Sequence, residues 1–194
     1  MRPVVIDNLF SSEELFFLYK EVLGSNGWTV DAHTDAELSH TPSGFTSSPQ
    51  LRIRVGEITY NYPLYLYFQS IMFRLKEKLK EKHIGLPFML KAVKLNITYH
   101  DAVIHRLHHD TTDPLDKTIL LFLTPVWESA WKGSFYVDGE EFKCKPGSAV
   151  ICDSTEWHTG EEPSASTTHN WVRLTANLVV GKQGKRPGKY DEVI

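Results

Sequence analysis

The densest reactive stretch of the chain is His105-Arg106-Leu107-His108-His109-Asp110, which puts three histidines and a carboxylate within six residues. In an extended segment residues two apart project to the same side, so His108 and Asp110 can offer an imidazole and a carboxylate to one cation while His109 points away. A third donor has to come from elsewhere. His158, in Trp157-His158-Thr159-Gly160, is the candidate, because it follows an apolar strand-like run and lies in a turn-like stretch of a β-rich region. Two imidazoles and one carboxylate on one face leave three adjacent coordination positions open, which suits iron(II) that must also accept a bidentate keto acid and dioxygen. A closed four-ligand zinc site offers no such room.

A keto acid also needs a cation at its far carboxylate. Arg173, in a strand-like run, carries a fork of donors matched to carboxylate geometry, and Thr175 projects to the same side. Tyr99, upstream of the histidine cluster, adds a phenol. Each of these has a plainer alternative. Arg173 can pair with a surface carboxylate such as Glu161, Tyr99 and Thr175 are residue types that suit strands anyway, and His105, His109, His33 and His40 can be exposed loop histidines. Trp127, Trp131, Trp157 and Trp171 are large apolar bodies that a sandwich core would use without any chemistry.

The elements that must position these residues are legible in outline. Residues 4–6 read as a short strand. Ser11 with Glu14 three residues later is a capping-box signal for a helix over residues 12–23, which Gly24 stops. Residues 28–56 are rich in Ser, Thr, Pro, Gly and His with little periodicity, which predicts a lid or substrate loop. After Pro63, Leu64, Phe68, Ile71, Leu75 and Leu79 recur every three or four residues, predicting a second helix that ends before Gly85. The character then changes: residues 88–99, 117–124, 134–137, 141–145, 148–152 and 170–180 all read as strands, with Asp138-Gly139 a hairpin turn. Two helices followed by at least six close strands predict a mainly β fold, a sandwich or double-sheet barrel with the helices on one outer face.

A chain of 194 residues, 41% hydrophobic and 23% charged, is expected to form a single domain. Residues 1–85 would be its helical support, 86–180 its β core and 181–194 a loose tail. The formal charge of −3, with both signs interspersed, disfavours nucleic acid and gives no reason to expect a membrane partner. Two cysteines, Cys144 and Cys152, fit neither a paired-thiolate zinc site nor a disulfide framework, and residues 1–10 lack the pattern of a signal peptide. The expectation is a cytoplasmic protein.

From about residue 88 to 180 the chain resembles the prolyl-hydroxylase-like branch of the iron(II) and 2-oxoglutarate-dependent oxygenases. The resemblance rests on an ordered set: Tyr99, His108-x-Asp110, the turn Trp131-Lys132-Gly133, Pro146-Gly147-Ser148-Ala149-Val150, the distal His158 and Arg173-x-Thr175. It implies a double-stranded β-helix (jelly-roll) core with His108, Asp110 and His158 as metal ligands. Arg173, Thr175 and Tyr99 would lie around 2-oxoglutarate. His105 stands where several peptidyl prolyl hydroxylases have an aromatic residue near the substrate, so it is expected on the substrate side. The implied reaction converts 2-oxoglutarate and dioxygen to succinate and carbon dioxide while an unactivated carbon is hydroxylated, with ascorbate as reductant. The substrate would be a peptide, a protein or a free amino acid, proline first among the side chains. Asp110 speaks against halogenation, since relatives that halogenate lack this carboxylate.

Two rival functions make different demands. AlkB-like oxygenases, which demethylate nucleic acid, carry a second arginine six residues beyond the first, where this chain has Val179. A non-catalytic, cupin-like metal-binding module would not need Arg173 and Thr175 aimed into the barrel.

Overall fold

The structure, a computed structural model, describes residues 1–24, 28–31, 46–49, 62–85, 89–98, 107–164 and 171–182; within residues 28–31, 46–49 and 62–65 it describes the backbone alone. The elements run β1 (Val4–Ile6), α1 (Ser12–Gly24), β2 (Trp28–Asp31), β3 (Thr46–Pro49), α2 (Tyr62–Lys80), β4 (Met89–Thr98) and β5 (Lys117–Phe122). There follow a 3-10 turn at Ser129–Trp131, β6 (Phe135–Val137), β7 (Glu140–Phe142), β8 (Ala149–Asp153), β9 (His158–Gly160) and β10 (Arg173–Gly181).

Helix α1 starts where its capping box puts it. The Ser11 amide donates to Glu14 Oε2 at 2.9 Å, and the Glu14 amide donates to Ser11 Oγ at 3.1 Å, so two otherwise orphaned N–H groups are satisfied reciprocally. The helix buries Leu15, Leu18, Tyr19 and Val22. Helix α2 buries Phe68, Ile71, Leu75 and Leu79 completely, as the three-or-four spacing predicts. Each such side chain contributes roughly 1.5–3 kcal/mol relative to exposure.

Both helices pack on one face of a seven-stranded sheet, order β1-β8-β5-β10-β4-β3-β2, whose described pairings are all antiparallel. Strand alternation divides this sheet in two. On β10, Leu174, Ala176, Leu178 and Val180 join the helix-side core, together with Ile119 and Leu121 of β5 and Ile151 of β8. The intervening residues point the other way. Leu120, Phe122, Val150 and Cys152 meet Phe135, Val137 and Phe142 from a three-stranded sheet of order β7-β6-β9, forming a second, smaller core between the sheets. This is the double-stranded β-helix with flanking helices that the sequence predicts.

Three details depart from the sequence reading. Parts of the stretch predicted as loop, residues 28–31 and 46–49, form an antiparallel ladder that extends the sheet edge beside β4, with Ser47 opposite Ile97. An edge pair held by main-chain hydrogen bonds does not require alternating apolar residues, so periodicity missed it. Gly181, assigned to the tail, is the last residue of β10 and is buried. His158 opens strand β9, not a turn, pairing with Val137 of β6. The Asp138-Gly139 turn is as expected: φ is 48° and 83°, the two positive values that join tightly twisted strands.

Candidate functional site

The three proposed ligands meet at one mouth of the barrel. His108 and His158 form an isolated antiparallel bridge, with the His108 amide donating to the His158 carbonyl at 3.0 Å and the reverse bond at 2.8 Å. Directly opposed residues of an antiparallel pair send their side chains to the same face, and the imidazole centroids are 4.5 Å apart. Asp110, two residues beyond His108, is fixed by its own amide, which donates to the Ser154 carbonyl at 2.9 Å. One donor atom from each of His108, Asp110 and His158 lies within 4.8 Å of the other two.

The donor chemistry of this cluster fits a cation. His158 is 2% exposed and its Nδ1 lies 2.9 Å from the Glu156 carbonyl, which can only accept, so Nδ1 carries the proton. Burial pushes the His158 pKa down; the Asp110 carboxylate opposes this and His108 adds to it. The ring is therefore neutral at physiological pH, with a bare lone pair on Nε2. That atom has no hydrogen-bond partner and faces Asp110 Oδ2 at 3.5 Å. Two lone pairs held face to face repel each other unless a positive charge lies between them. His108 Nε2 lies 4.0 Å from the other carboxylate oxygen, Oδ1.

Two side chains hold the carboxylate from behind, and a third braces one of them. Thr118 Oγ1 donates to Asp110 Oδ2, and Asn177 Nδ2 donates to Oδ1 at 3.3 Å and Oδ2 at 3.2 Å. Thr118 Oγ1 is also 2.9 Å from Ser154 Oγ. A hydroxyl has one proton, and Thr118 gives it to the carboxylate, so Ser154 must donate to Thr118. None of Thr118, Ser154 and Asn177 was singled out in the sequence. Asn177 was accessible by extending the two-residue step from Arg173 and Thr175 once more. Thr118 and Ser154 had no sequence signal beyond strand propensity and a loop position.

Arg173, Thr175 and Asn177 line the same cleft as His108, Asp110 and His158, so β10 carries one polar face inward. Arg173 is 3% exposed and its guanidinium carbon lies 5.8 Å from the Phe122 ring centroid. Burial pushes its pKa below the ordinary arginine value, against the Cys144 thiol and Glu161, and the group remains a cation. Its Nε has no partner, and among the described residues no carboxylate lies within ion-pairing distance. The alternative pairing with Glu161 is not realised: that carboxylate accepts the Ser134 amide at 3.2 Å. Thr124 fixes the start of the strand, its hydroxyl accepting from the Leu174 amide at 2.8 Å and donating to the Val172 carbonyl at 3.0 Å. Tyr19 of α1 accepts the Val172 amide at 3.0 Å.

The Trp131-Lys132-Gly133 turn supports the arginine. Gly133, at φ 79°, passes so close that a Cβ there would lie 3.0 Å from both Arg173 Cδ and Trp127 Cζ2. Of the four tryptophans without assigned chemistry, Trp131 is buried, but Trp157 is half exposed and stacks edge-on with His109 at 5.1 Å, so it does not belong to the core. His109 turns away from the cluster, as the alternation requires. Tyr99, His105, His33 and His40 lie outside the described residues.

No protein-family model and no curated protein sequence matches this chain. Solved structures do match in fold. A 2OG-Fe(II) oxygenase family oxidoreductase from Burkholderia pseudomallei aligns with a TM-score of 0.67 at 13% identity, over 95% of this chain and 86% of that one. A Trichoplax adhaerens prolyl hydroxylase, solved with a peptide fragment of the hypoxia-inducible factor oxygen degradation domain, gives 0.60 at 15% identity over 93% and 83%. HygX from Streptomyces hygroscopicus, solved with nickel and 2-oxoglutarate bound, gives 0.52 at 11% identity, also over 93% and 83%. The chain has the double-stranded β-helix fold that the 2-oxoglutarate and iron(II) oxygenases use, prolyl hydroxylases among them.

Proposed function

We propose that this protein is an iron(II) and 2-oxoglutarate-dependent dioxygenase that hydroxylates an unactivated carbon of an amino acid, free or within a peptide, proline first among them. The observation that carries the reading is a pair of unsatisfied groups in one cleft: the orphaned His158 Nε2 facing Asp110, and the buried Arg173 cation with no carboxylate beside it. A buried charge without a counter-charge is costly, so a site built this way is complete only with a cation at one end and an anion at the other. A metal and a dicarboxylate such as 2-oxoglutarate meet both needs. A purely structural metal module would need the first and not the second.

Iron(II) at the triad supplies dioxygen activation: one oxygen atom enters 2-oxoglutarate, which leaves as succinate and carbon dioxide, and the other enters the substrate C–H bond as hydroxyl. The chain's own work is to bind and orient. His108, Asp110 and His158 would hold the metal, each through one donor atom. Thr118 and Asn177 keep the Asp110 carboxylate turned toward the metal. Arg173 and Thr175 receive the far carboxylate of the cosubstrate, and Leu120 and Phe135 give the cleft apolar walls that limit water. On this reading the whole chain is one oxygenase domain working in the cytoplasm, Tyr99 contributes at the cosubstrate, His105 lies on the substrate side, and ascorbate keeps the iron reduced.

The test is turnover. Purified protein supplied with iron(II), ascorbate and 2-oxoglutarate is expected to form succinate, and His108→Ala, Asp110→Ala or His158→Ala to abolish it. Succinate formation at the wild-type rate in all three variants would refute the assignment.

A further inference from the structure

The cleft holds a second cation that neither the metal nor the cosubstrate requires. Lys94 on β4 lies directly opposite Asn177 of β10, and both line the cleft. Asn177 grips Asp110, so Lys94 stands beside the metal end. Arg173 is opposite Thr98, four residues along β4 and thus about 13 Å away at strand rise. Lys94 is exposed and the His108 side chain is 49% exposed, which marks this end as the open one. No ion pair or hydrogen bond ties up the Lys94 ammonium among the described residues.

Charge balance shows what the lysine is available for. Among the described residues, the charged side chains lining the cleft are Lys94, Asp110 and Arg173. With a divalent metal and doubly charged 2-oxoglutarate in place, the metal offsets Asp110 and one carboxylate of the cosubstrate, and Arg173 offsets the other. Lys94 is left as an unmatched positive charge at the open end, where the second substrate has to approach. A cation in a cleft attracts and orients an anionic group more effectively than it would on a flat surface.

The geometry points to a substrate that carries a carboxylate close to the reacting carbon, with Lys94 as its counter-ion. This inference rests on the dioxygenase reading and narrows it: a free amino acid or a chain-terminal residue offers such a carboxylate, and an internal peptide residue does so only if it is an aspartate or a glutamate. Lys94 is then a specificity-determining residue, and it takes no part in holding the metal or 2-oxoglutarate.

The experiment uses the full chain loaded with zinc(II), which does not turn over, and 2-oxoglutarate. Proline, leucine and glutamine, each as the free acid and as the carboxamide, are titrated under saturation-transfer NMR. At least one acid should bind ten times or more tighter than its amide. In Lys94→Gln that preference should fall to within twofold, while the 2-oxoglutarate midpoint stays put. Equal binding of acid and amide, binding of neither, or a preference that survives Lys94→Gln would overturn the proposal. So would a Lys94→Gln variant with weakened 2-oxoglutarate binding, which would make the lysine a cosubstrate contact. Failure of wild-type protein to bind 2-oxoglutarate at all is a separate result that removes the dioxygenase reading, and this inference with it.

Discussion

Thr118→Val tests whether the groups behind Asp110 serve the metal or only the fold. The valine has nearly the same shape, so the completely buried site keeps its packing and loses only a hydroxyl. That hydroxyl donates to Asp110 Oδ2 and accepts from Ser154, and without it the carboxylate retains only Asn177, at 3.2 and 3.3 Å. A hydrogen bond to a charged group contributes about 1.5–3 kcal/mol. If that energy keeps the carboxylate turned toward the metal, its loss weakens metal binding by roughly one to two orders of magnitude, the range seen for outer partners of metal ligands. The assay is a cobalt(II) titration of the metal-free protein followed by calorimetry. Thr118→Ser restores the hydroxyl and is expected to bind within a few-fold of wild type. A Thr118→Val protein that melts earlier yet binds cobalt(II) within twofold of wild type would refute the reasoning, because the hydroxyl would then stabilise the barrel without positioning the ligand.

Lys91 lies at the register shift where β4 skips one residue against Val179 and Val180, and its ammonium pairs with Asp116, both side chains being almost wholly buried. Lys91→Met leaves Asp116 buried without a counter-charge and is expected to cost about 3–5 kcal/mol in urea unfolding, while Lys91→Met with Asp116→Leu recovers most of the loss. Burial pushes the Cys144 thiol up to about 12 and raises Cys152 as well, so neither thiol should react with Ellman's reagent at about pH 8 until denaturant is added. Glu14 is held below its ordinary pKa by the Ser11 amide first, with burial opposing and Arg74 assisting. Its contribution is therefore present above the unfolded value of 4.5 and is lost as pH falls through and below it. The melting-temperature gap between wild type and Glu14→Gln should be widest near neutrality and close as acid is added.

The parts of the fold carried by local signals were legible. Ser11 and Glu14 marked the start of α1, the three-or-four spacing from Phe68 to Leu79 marked the buried face of α2, and the apolar runs marked the central strands. The edge ladder of β2 and β3 was not, because main-chain pairing at an edge imposes little on side-chain type. The same contrast holds at the site. His108, Asp110 and Arg173 were visible by residue type and by the period of two, but that His158 opens a strand depends on its pairing with Val137, and that it faces His108 depends on a bridge fifty residues away in sequence. The requirement for glycine at Gly133 becomes clear only when Arg173 and Trp127 are seen against it. Lys94 looked like an ordinary polar strand residue until the register placed it opposite Asn177.

The central claim is that three side chains from two separate parts of the chain hold one metal ion while 2-oxoglutarate completes the site. Equilibrium dialysis of metal-free protein against iron(II) under argon, with and without 2-oxoglutarate, measures this most directly. One iron per chain is expected, bound tighter when 2-oxoglutarate is present, with the tight site absent from His158→Ala. Iron that binds equally well to the His158→Ala protein, or wild-type protein that retains none, would contradict the claim.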